Sequence, residues 1–313
     1  MTAPSRAQGL GAWFALAVLA LVVAWPAAGR ARAADDPGEL LVADLRGRSL
    51  NIVDLEHGSV TDRIPLPGGP HELLALPDGR VLVSLEQAGL LALVDLARRE
   101  VETVEMGGLP HGLALDGDDL LVTDRATDTV RRFTLDGFDE LPSVPAGAWP
   151  HAVATLPDGR IAVTAARSDV LLLGDREIAV SELPETVAVA PSGALIATAG
   201  AVGGLLHVID GAGTPLLELY LGGRPVRTVF APDGDSLAVA LSATAEVALV
   251  GFDGSVRRVA VSGVPDGLAF SEDGERLYAS DVYGGAVSVI DVGAAAMVDQ
   301  LSAGTSTGAL LVR

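Results

Sequence analysis

The sequence predicts an all-β fold: a seven-bladed β-propeller of four-stranded antiparallel blades, closed by strands from both termini. Three observations predict it. A turn-and-strand pattern repeats with a period near 40 residues. Each repeat contains short runs of Val, Leu and Ala separated by Gly, Asp and Pro, which are strand and turn signals. The two ends of the chain each supply part of one further repeat. Four short strands per unit of about 40 residues are typical of propeller blades.

The repeat is anchored by a proline that precedes an apolar strand. The residues that directly follow the six prolines are His71, His111, His151, Glu185, Val226 and Asp266. Their spacings are 40, 40, 34, 41 and 40 residues. Six complete units are therefore predicted, of which the unit that starts at His151 is the shortest.

The first unit shows how the strands, labelled A to D from the channel outwards, divide a repeat. We expect strand A at His71–Leu76, strand B at Val81–Leu85, strand C at Leu90–Leu96 and strand D at Glu100–Glu105. The short unit has its last three strands at Ile161–Thr164, Val170–Leu173 and Ile178–Leu183. No segment after the N-terminal region has ten or more residues with the 3.6-residue period of a helix.

The ends of the chain complete the ring. Glu39–Asp44, Ser49–Leu55 and Ser59–Leu66 resemble strands B, C and D, and Gly308–Val312 resembles a single strand A. Joined together, they form the seventh blade. Closing the ring in this way removes the open sheet edges that would otherwise favour aggregation.

The N-terminal region has the pattern of a secretory signal peptide. Arg6 precedes an apolar run, Ala12–Trp25, and a small-residue site follows at Ala31-Arg32-Ala33. The run is too short to span a bilayer comfortably. We expect residues 1–33 to be a cleaved signal peptide and residues 34–313 to be the propeller domain, in the periplasm or secreted. A retained membrane anchor is the alternative. After cleavage, no further membrane span is expected.

Composition limits the functions that remain. The chain has no cysteine, which excludes disulfides, thiolate metal sites and cysteine nucleophiles. Its formal net charge is −20, which repels nucleic acid and attracts cations. We expect a monomer whose partner is a small ligand, a metal ion or another protein, and not a nucleic acid.

The repeats resemble those of a known family. Pro150-His151-Ala152 leads to Pro157-Asp158-Gly159-Arg160, and Pro70-His71 leads to Pro77–Arg80 in the same way. Strand C closes with Val-Ile-Asp or a similar triplet, as in Val208-Ile209-Asp210 and Val289-Ile290-Asp291. This pattern resembles the YVTN/YncE-type propeller repeats over essentially the whole chain after residue 33. The resemblance implies the fold. It does not choose a function, because propellers include binding proteins, lyases, lactonases and electron-transfer subunits.

The position after each turn proline is expected at the mouth of the central channel. Around the ring it holds the six residues that follow the repeat prolines and, in the composite blade, Thr307. Three of the five histidines of the chain occupy it on successive blades. The predicted metal ligands are His71, His111, His151, Glu185 and Asp266, which suit zinc or copper. Duplication of one structural Pro-His turn would give the same pattern without any metal.

Loops between strands B and C are expected on the same face. There we predict ligand-binding roles for Arg125, Arg167, Asp124, Asp281 and Tyr283, with the arginines suited to a carboxylate or phosphate. The Asp-Gly pairs between strands A and B fall on the opposite face. We interpret them as hairpin turns, in which glycine accepts a positive φ at little cost.

Three functions remain open at this stage. The first is an exported binding protein that uses the channel mouth for a ligand such as a transition metal or a metal complex. The second is a lyase or lactonase in which a metal ion and a histidine act together. The third is a protein-interaction scaffold. A stoichiometric metal ion would separate the first two functions from the third, and turnover of lactones would separate the second from the first.

Overall fold

The computed structural model describes residues 38–313, which form seven four-stranded antiparallel sheets in a ring. The predicted architecture is confirmed, including closure by strands from both ends of the described chain. The predicted signal peptide lies outside the described residues. Within residues 38–313, no helix is long and apolar enough to cross a membrane.

In the first four blades the strands lie in the order A to D from the channel outwards. Blade 1 contains β28 (Thr307–Val312), β1 (Glu39–Asp44), β2 (Ser49–Asp54) and β3 (Ser59–Pro65). Blade 2 contains β4 (Leu73–Ala75), β5 (Val81–Leu85), β6 (Leu90–Asp95) and β7 (Glu100–Glu105). Blade 3 contains β8 (Pro110–Asp116), β9 (Asp119–Asp124), β10 (Thr129–Thr134) and β11 (Glu140–Pro145). Blade 4 contains β12 (Pro150–Thr155), β13 (Ile161–Ala165), β14 (Val170–Leu173) and β15 (Arg176–Ala179).

The last three blades follow the same order. Blade 5 contains β16 (Pro184–Val189), β17 (Leu195–Gly200), β18 (Leu205–Asp210) and β19 (Pro215–Tyr220). Blade 6 contains β20 (Pro225–Phe230), β21 (Ser236–Leu241), β22 (Glu246–Gly251) and β23 (Val256–Ala260). Blade 7 contains β24 (Pro265–Phe270), β25 (Arg276–Asp281), β26 (Ala286–Asp291) and β27 (Ala296–Ser302). One 3-10 turn, η1 (Glu86–Ala88), follows strand B of blade 2.

The core lies between the blades. Strands B and C are buried on both faces, so they are continuous apolar runs, whereas strand D alternates between exposed and buried residues. One cluster joins Leu41 and Leu50 of blade 1 to Val83 and Leu85 of blade 2. Burying one such side chain stabilises the fold by about 1.5–3 kcal/mol. The many Val, Leu and Ala residues therefore hold neighbouring blades together without disulfides.

Closure of the ring depends on the aspartate that ends β1. Its carboxylate accepts hydrogen bonds from the Thr305 N–H at 2.9 Å, the Thr305 hydroxyl at 2.8 Å and the Ser306 N–H at 3.0 Å. Asp44 is 2% exposed. At the other end of the same strand pair, Glu39 and Arg313 exchange backbone hydrogen bonds of 2.8 and 2.9 Å. The start and the end of the described chain are thus fixed side by side.

Two predicted strands differ from the structure by more than one residue at an end. Strand D of the short blade is Arg176–Ala179 rather than Ile178–Leu183, because a tight turn at Gly174, with φ of 55°, starts it earlier. Strand A of blade 2 is only Leu73–Ala75, so His71 precedes the regular pairing. The Asp-Gly pairs are hairpin turns as interpreted: Gly79 has φ of 85°, and the Asp78 carboxylate accepts the Arg80 N–H at 3.0 Å.

Candidate functional site at the channel mouth

A bulge near the start of strand A shapes the mouth of the channel. In blade 3, Pro110 pairs with Asp124 and the next pair is Leu113 with Val122, so His111 and Gly112 lie opposite the single residue Thr123. The Thr123 hydroxyl accepts the Gly112 N–H at 2.7 Å. Ser84, Thr164 and Ser280 accept the corresponding N–H in blades 2, 4 and 7 at 3.0, 3.0 and 2.7 Å. These buried hydroxyls were not predicted from the sequence, although a Ser or Thr recurs near the end of strand B.

The structure brings the three predicted histidines together as a stack. The ring centroids of His71 and His111 are 4.2 Å apart, and those of His111 and His151 are also 4.2 Å apart. The rings are tilted by 53° and 58°. Residues 40 positions apart in the sequence are therefore direct neighbours at the channel mouth.

His111, at the centre of the stack, is 1% exposed. Its Nδ1 lies 2.9 Å from the carbonyl oxygen of His151. A carbonyl only accepts, so Nδ1 carries the hydrogen and the neutral ring keeps a lone pair on Nε2. This Nε2 is buried and has no hydrogen-bond partner within the described residues. Burial, followed by the neighbouring His151 and His71, holds the pKa of His111 well below its usual range.

Glu86 lies beside the free nitrogen of His111. Its Oε2 is 3.8 Å from Nε2 of His111 and 3.9 Å from Nε2 of His71, and the residue is 5% exposed. Both carboxylate oxygens also accept a hydrogen bond from Nη1 of Arg125 at 3.1 Å. The potential ligand atoms of His71, Glu86 and His111 all lie within 4.8 Å of one another. Within residues 38–313, no other group of three such residues is this close.

This cluster differs from the ligand set expected from the sequence. His151, Glu185 and Asp266 do not join it, and Glu86 takes their place. Glu86 belongs to the loop after strand B rather than to the position after the proline, so the repeat alignment alone does not point to it. Its signal in the sequence is a carboxylate that directly follows the buried run Val81–Leu85.

The remaining predicted ligands line a cavity of about 260 Å³ at the same mouth. Its lining residues are His71, Arg125, Trp149, His151, Ala166, Leu183, Glu185, Val226, Arg227 and Asp266. Burial, with the charge of Arg125 adding to it, holds the pKa of His151 well below its usual range. Burial raises the pKa of Glu185, and the nearby Asp266 raises it further against the opposing charge of Arg224. The wall of this cavity thus carries two histidines on blades 2 and 4 and two carboxylates on blades 5 and 7.

An ion pair crosses the channel at this level. Arg227 of blade 6 donates to both carboxylate oxygens of Glu72 of blade 2, at 3.0 and 2.7 Å. Blades 2 and 6 are not neighbours in the ring, so the pair bridges the channel. Burial alone would raise the pKa of Glu72, but the charge of Arg227 carries it well below its usual range. Neither residue was predicted, because each lies one residue after the ring position, which is the position that directly follows the repeat proline.

Trp149 forms part of the cavity wall and lies against two arginines, of which Arg125 also lines the cavity. The guanidinium carbon of Arg167 lies 3.9 Å from its ring centroid and that of Arg125 lies 5.3 Å away. Trp149, Leu183 and Arg224 each precede the first proline of a strand A and have φ values of 59°, 56° and 56°. This conformation is costly for residues with a side chain. The first two line the cavity, and the third lies 3.5 Å from Glu185.

Two of the predicted ligand-binding residues fix loops in the structure, and a third is exposed on the surface. Asp124, 1% exposed, accepts the N–H groups of Leu109 and Ala126 at 3.0 and 2.9 Å. Asp281, 6% exposed, accepts those of Val264 and Tyr283 at 3.0 and 3.1 Å. The Tyr283 side chain is exposed beside Arg46, and none of the three lines the cavity.

The ring position of blade 1 is a correction to the sequence alignment. Thr307 pairs with Asp44 just as Pro110 pairs with Asp124, so Thr307 corresponds to the proline. The residue at the ring position is therefore Gly308, which carries no side chain. A Cβ built on Gly308 would lie 3.7 Å from a carboxylate oxygen of Asp266.

The comparisons with known proteins establish the fold. No family model matches the sequence, and no curated protein matches it. A functionally unknown protein from Desulfotomaculum acetoxidans is 12% identical, with a TM-score of 0.76 over 88% of this chain and 99% of its own. A putative 6-phosphogluconolactonase from Bacteroides fragilis is 13% identical, with a TM-score of 0.73 over 90% and 100%. A virginiamycin B lyase from Staphylococcus aureus is 15% identical, with a TM-score of 0.66 over 79% and 92%. At these identities the similarity defines a β-propeller and no function.

Proposed function

We propose that this protein is an exported, YncE-like β-propeller binding protein that holds a transition metal ion at the channel mouth, through His71, Glu86 and His111. One observation carries the proposal. The Nε2 atom of His111 is buried without a partner and lies 3.8 Å from a carboxylate oxygen. A buried polar atom left without a partner is costly unless a ligand satisfies it.

The donor set suits zinc or copper. Two neutral imidazoles and one carboxylate are ligands that both metals accept. Metal-bound histidines usually donate their second ring N–H to a carbonyl or carboxylate oxygen. His111 donates its Nδ1–H to the carbonyl oxygen of His151 in this way. Arg125 holds the Glu86 carboxylate in the same supporting way. The net charge of −20 would concentrate cations around the protein.

Export is part of the proposal and rests on the sequence of residues 1–33. A mature protein that begins at or near Ala34 is expected in the periplasm or outside the cell. Intact-mass measurement on protein purified from its native host tests this, and a mass that includes residues 1–33 would contradict it.

Calorimetric titration of metal-free protein with zinc and copper salts tests the metal site. We expect one ion per chain and a loss of affinity of at least tenfold in His111→Ala and in Glu86→Gln. The matched control is His57→Ala, because His57 is an exposed turn residue whose side chain is 68% exposed. Equal binding by wild type and His111→Ala, or no binding by either, would refute the proposal.

A second candidate function is a metal-assisted lyase or lactonase. The observation that favours it is the number of protein ligands: three leave a coordination position open, as in catalytic rather than structural zinc sites. The cavity lies beside this cluster and is lined by His71 and by His151, whose Nδ1 has no partner within residues 38–313. Two structural neighbours bear the names of a lyase and a lactonase. Turnover of a panel of lactones by the zinc-loaded protein distinguishes an enzyme from a binding protein.

A further inference from the structure

The acidic side of the cavity has a different chemistry from the metal cluster. Glu185 and Asp266 occupy the ring position of blades 5 and 7, and Val226 lies between them on blade 6. All three line the cavity. The two carboxylates are close enough for the charge of Asp266 to raise the pKa of Glu185. Bringing two such groups together costs free energy, which a cation between them would recover.

These carboxylates have acceptor capacity that the protein does not use. Within residues 38–313, Glu185 has one ion pair, with Arg224 at 3.5 Å, and the Arg224 side chain is 51% exposed. Among residues 38–313, the carboxylate of Asp266 has no hydrogen bond and no ion pair at contact distance. Arg227, which also lines the cavity, donates two hydrogen bonds to Glu72, and its charge also acts on Glu185 and Asp266. No hydrogen bond within residues 38–313 joins Arg227 to either of these two carboxylates. An ionised carboxylate offers about four lone-pair sites and only accepts hydrogen bonds.

The rest of the wall favours an organic ion over a hydrated metal ion. Trp149, Ala166, Leu183 and Val226 contribute apolar surface to the cavity. The buried Nδ1 of His151 has no partner among the described residues. The cavity has a volume of about 260 Å³, and ligand pockets usually have about 300–1,000 Å³. A ligand of this cavity is therefore expected to be a small molecule.

We propose that Glu185 and Asp266 form a subsite for a small organic cation that carries primary ammonium groups. The ammonium groups would donate to the two carboxylates, and the carbon chain would pack on Val226, Leu183 and Trp149. The subsite does not depend on the metal cluster, since no atom of Glu185 or Asp266 belongs to that cluster.

Three four-carbon probes of different charge test the proposal by calorimetry: 1,4-diaminobutane, 1,4-butanediol and succinate. We expect the diamine to bind at least tenfold more tightly than either other probe. In the isosteric double variant Glu185→Gln/Asp266→Asn, diamine affinity should fall at least tenfold. Glu182→Gln, which changes an exposed carboxylate close in sequence to the cavity wall, should bind like wild type.

Each outcome decides the proposal. The proposal is overturned if the diamine and the diol bind equally, if the double variant keeps its diamine affinity, or if succinate binds most tightly. Tightest binding of succinate would make the cavity an anion site of Arg125 and Arg227. Circular dichroism checks that the variants are folded. His111→Ala should lose zinc binding and keep diamine binding. The double variant should keep zinc binding and lose diamine binding. Failure of one site is therefore distinguishable from failure of the other.

Discussion

The ion pair across the channel gives the sharpest prediction about stability. Glu72 and Arg227 have side chains only 15% and 21% exposed, and they share two hydrogen bonds. Arg227→Met would leave the Glu72 carboxylate largely buried without its charge partner. Breaking a buried pair costs about 3–5 kcal/mol, and partial exposure places this pair near the lower limit, about 3 kcal/mol.

The expected change in melting temperature follows from the size of the domain. Unfolding entropy is about 2.1 cal/mol/K per residue. Over residues 38–313 this is about 0.6 kcal/mol/K, so a loss of about 3 kcal/mol lowers Tm by about 5 °C. Thermal unfolding followed by circular dichroism measures it.

Two further variants identify the cause. Glu72→Leu/Arg227→Met replaces both charges with apolar groups and should recover most of the loss, because a buried ion pair contributes little compared with apolar residues of similar volume. Arg98→Met removes one partner of an ion pair in which Arg98 is 73% exposed, and should melt within about 1 °C of wild type. A single variant that melts like wild type, or a double variant that melts as low as the single, would refute the reasoning.

Three other predictions concern the closure of the ring and a surface histidine. Asp44→Ala should lower Tm by several degrees, because it leaves the Thr305 and Ser306 N–H groups unpaired. Asp118→Ala, in an exposed hairpin, should leave Tm unchanged, and differential scanning calorimetry compares the two variants. Deleting residues 308–313 removes most of β28 and should cause aggregation in light scattering, because one edge of β1 is left unpaired; a soluble monomer would contradict this. The pKa of His57 should lie above 6.5, because Asp54 accepts a hydrogen bond from its ring, and NMR titration of Asp54→Asn should return it towards 6.5. The stabilisation from this pair is present below the unfolded pKa and is lost as pH rises through the folded value.

The repeat length carried most of the information about the fold. A proline and an apolar strand about every 40 residues placed six blades, and strands from the two ends of the repeat region supplied the seventh. Two of the errors fall where this signal is weak. Strand D of blade 4 is short and starts at a turn without an Asp-Gly pair. Strand A of blade 1 has no proline to fix its register, so the alignment puts its ring position at Thr307, one residue before Gly308.

The candidate site was only partly accessible from the sequence. The equivalence of His71, His111 and His151 is a property of the repeat, so spacing alone predicts that they are neighbours. Glu86 and the pair Glu72–Arg227 occupy other positions of the repeat. Their contacts depend on how far side chains reach between blades, which a repeat alignment does not contain. Whether the neighbouring histidines bind a metal stays a prediction.

The backbone bonds that join Glu39 to Arg313 make the starting point of the ring arbitrary. A short linker between the two ends would turn the ring into a closed loop, which can be reopened at another exposed turn such as Asp158-Gly159 without interrupting a strand. Such a circular permutant would keep the histidine stack and the cavity and would make every blade continuous in sequence except the one that is cut. New ends at that turn lie on the face opposite the channel mouth, where a reporter domain fused to them would not obstruct ligands. The pairing of its two ends thus makes this propeller suited to building ligand sensors.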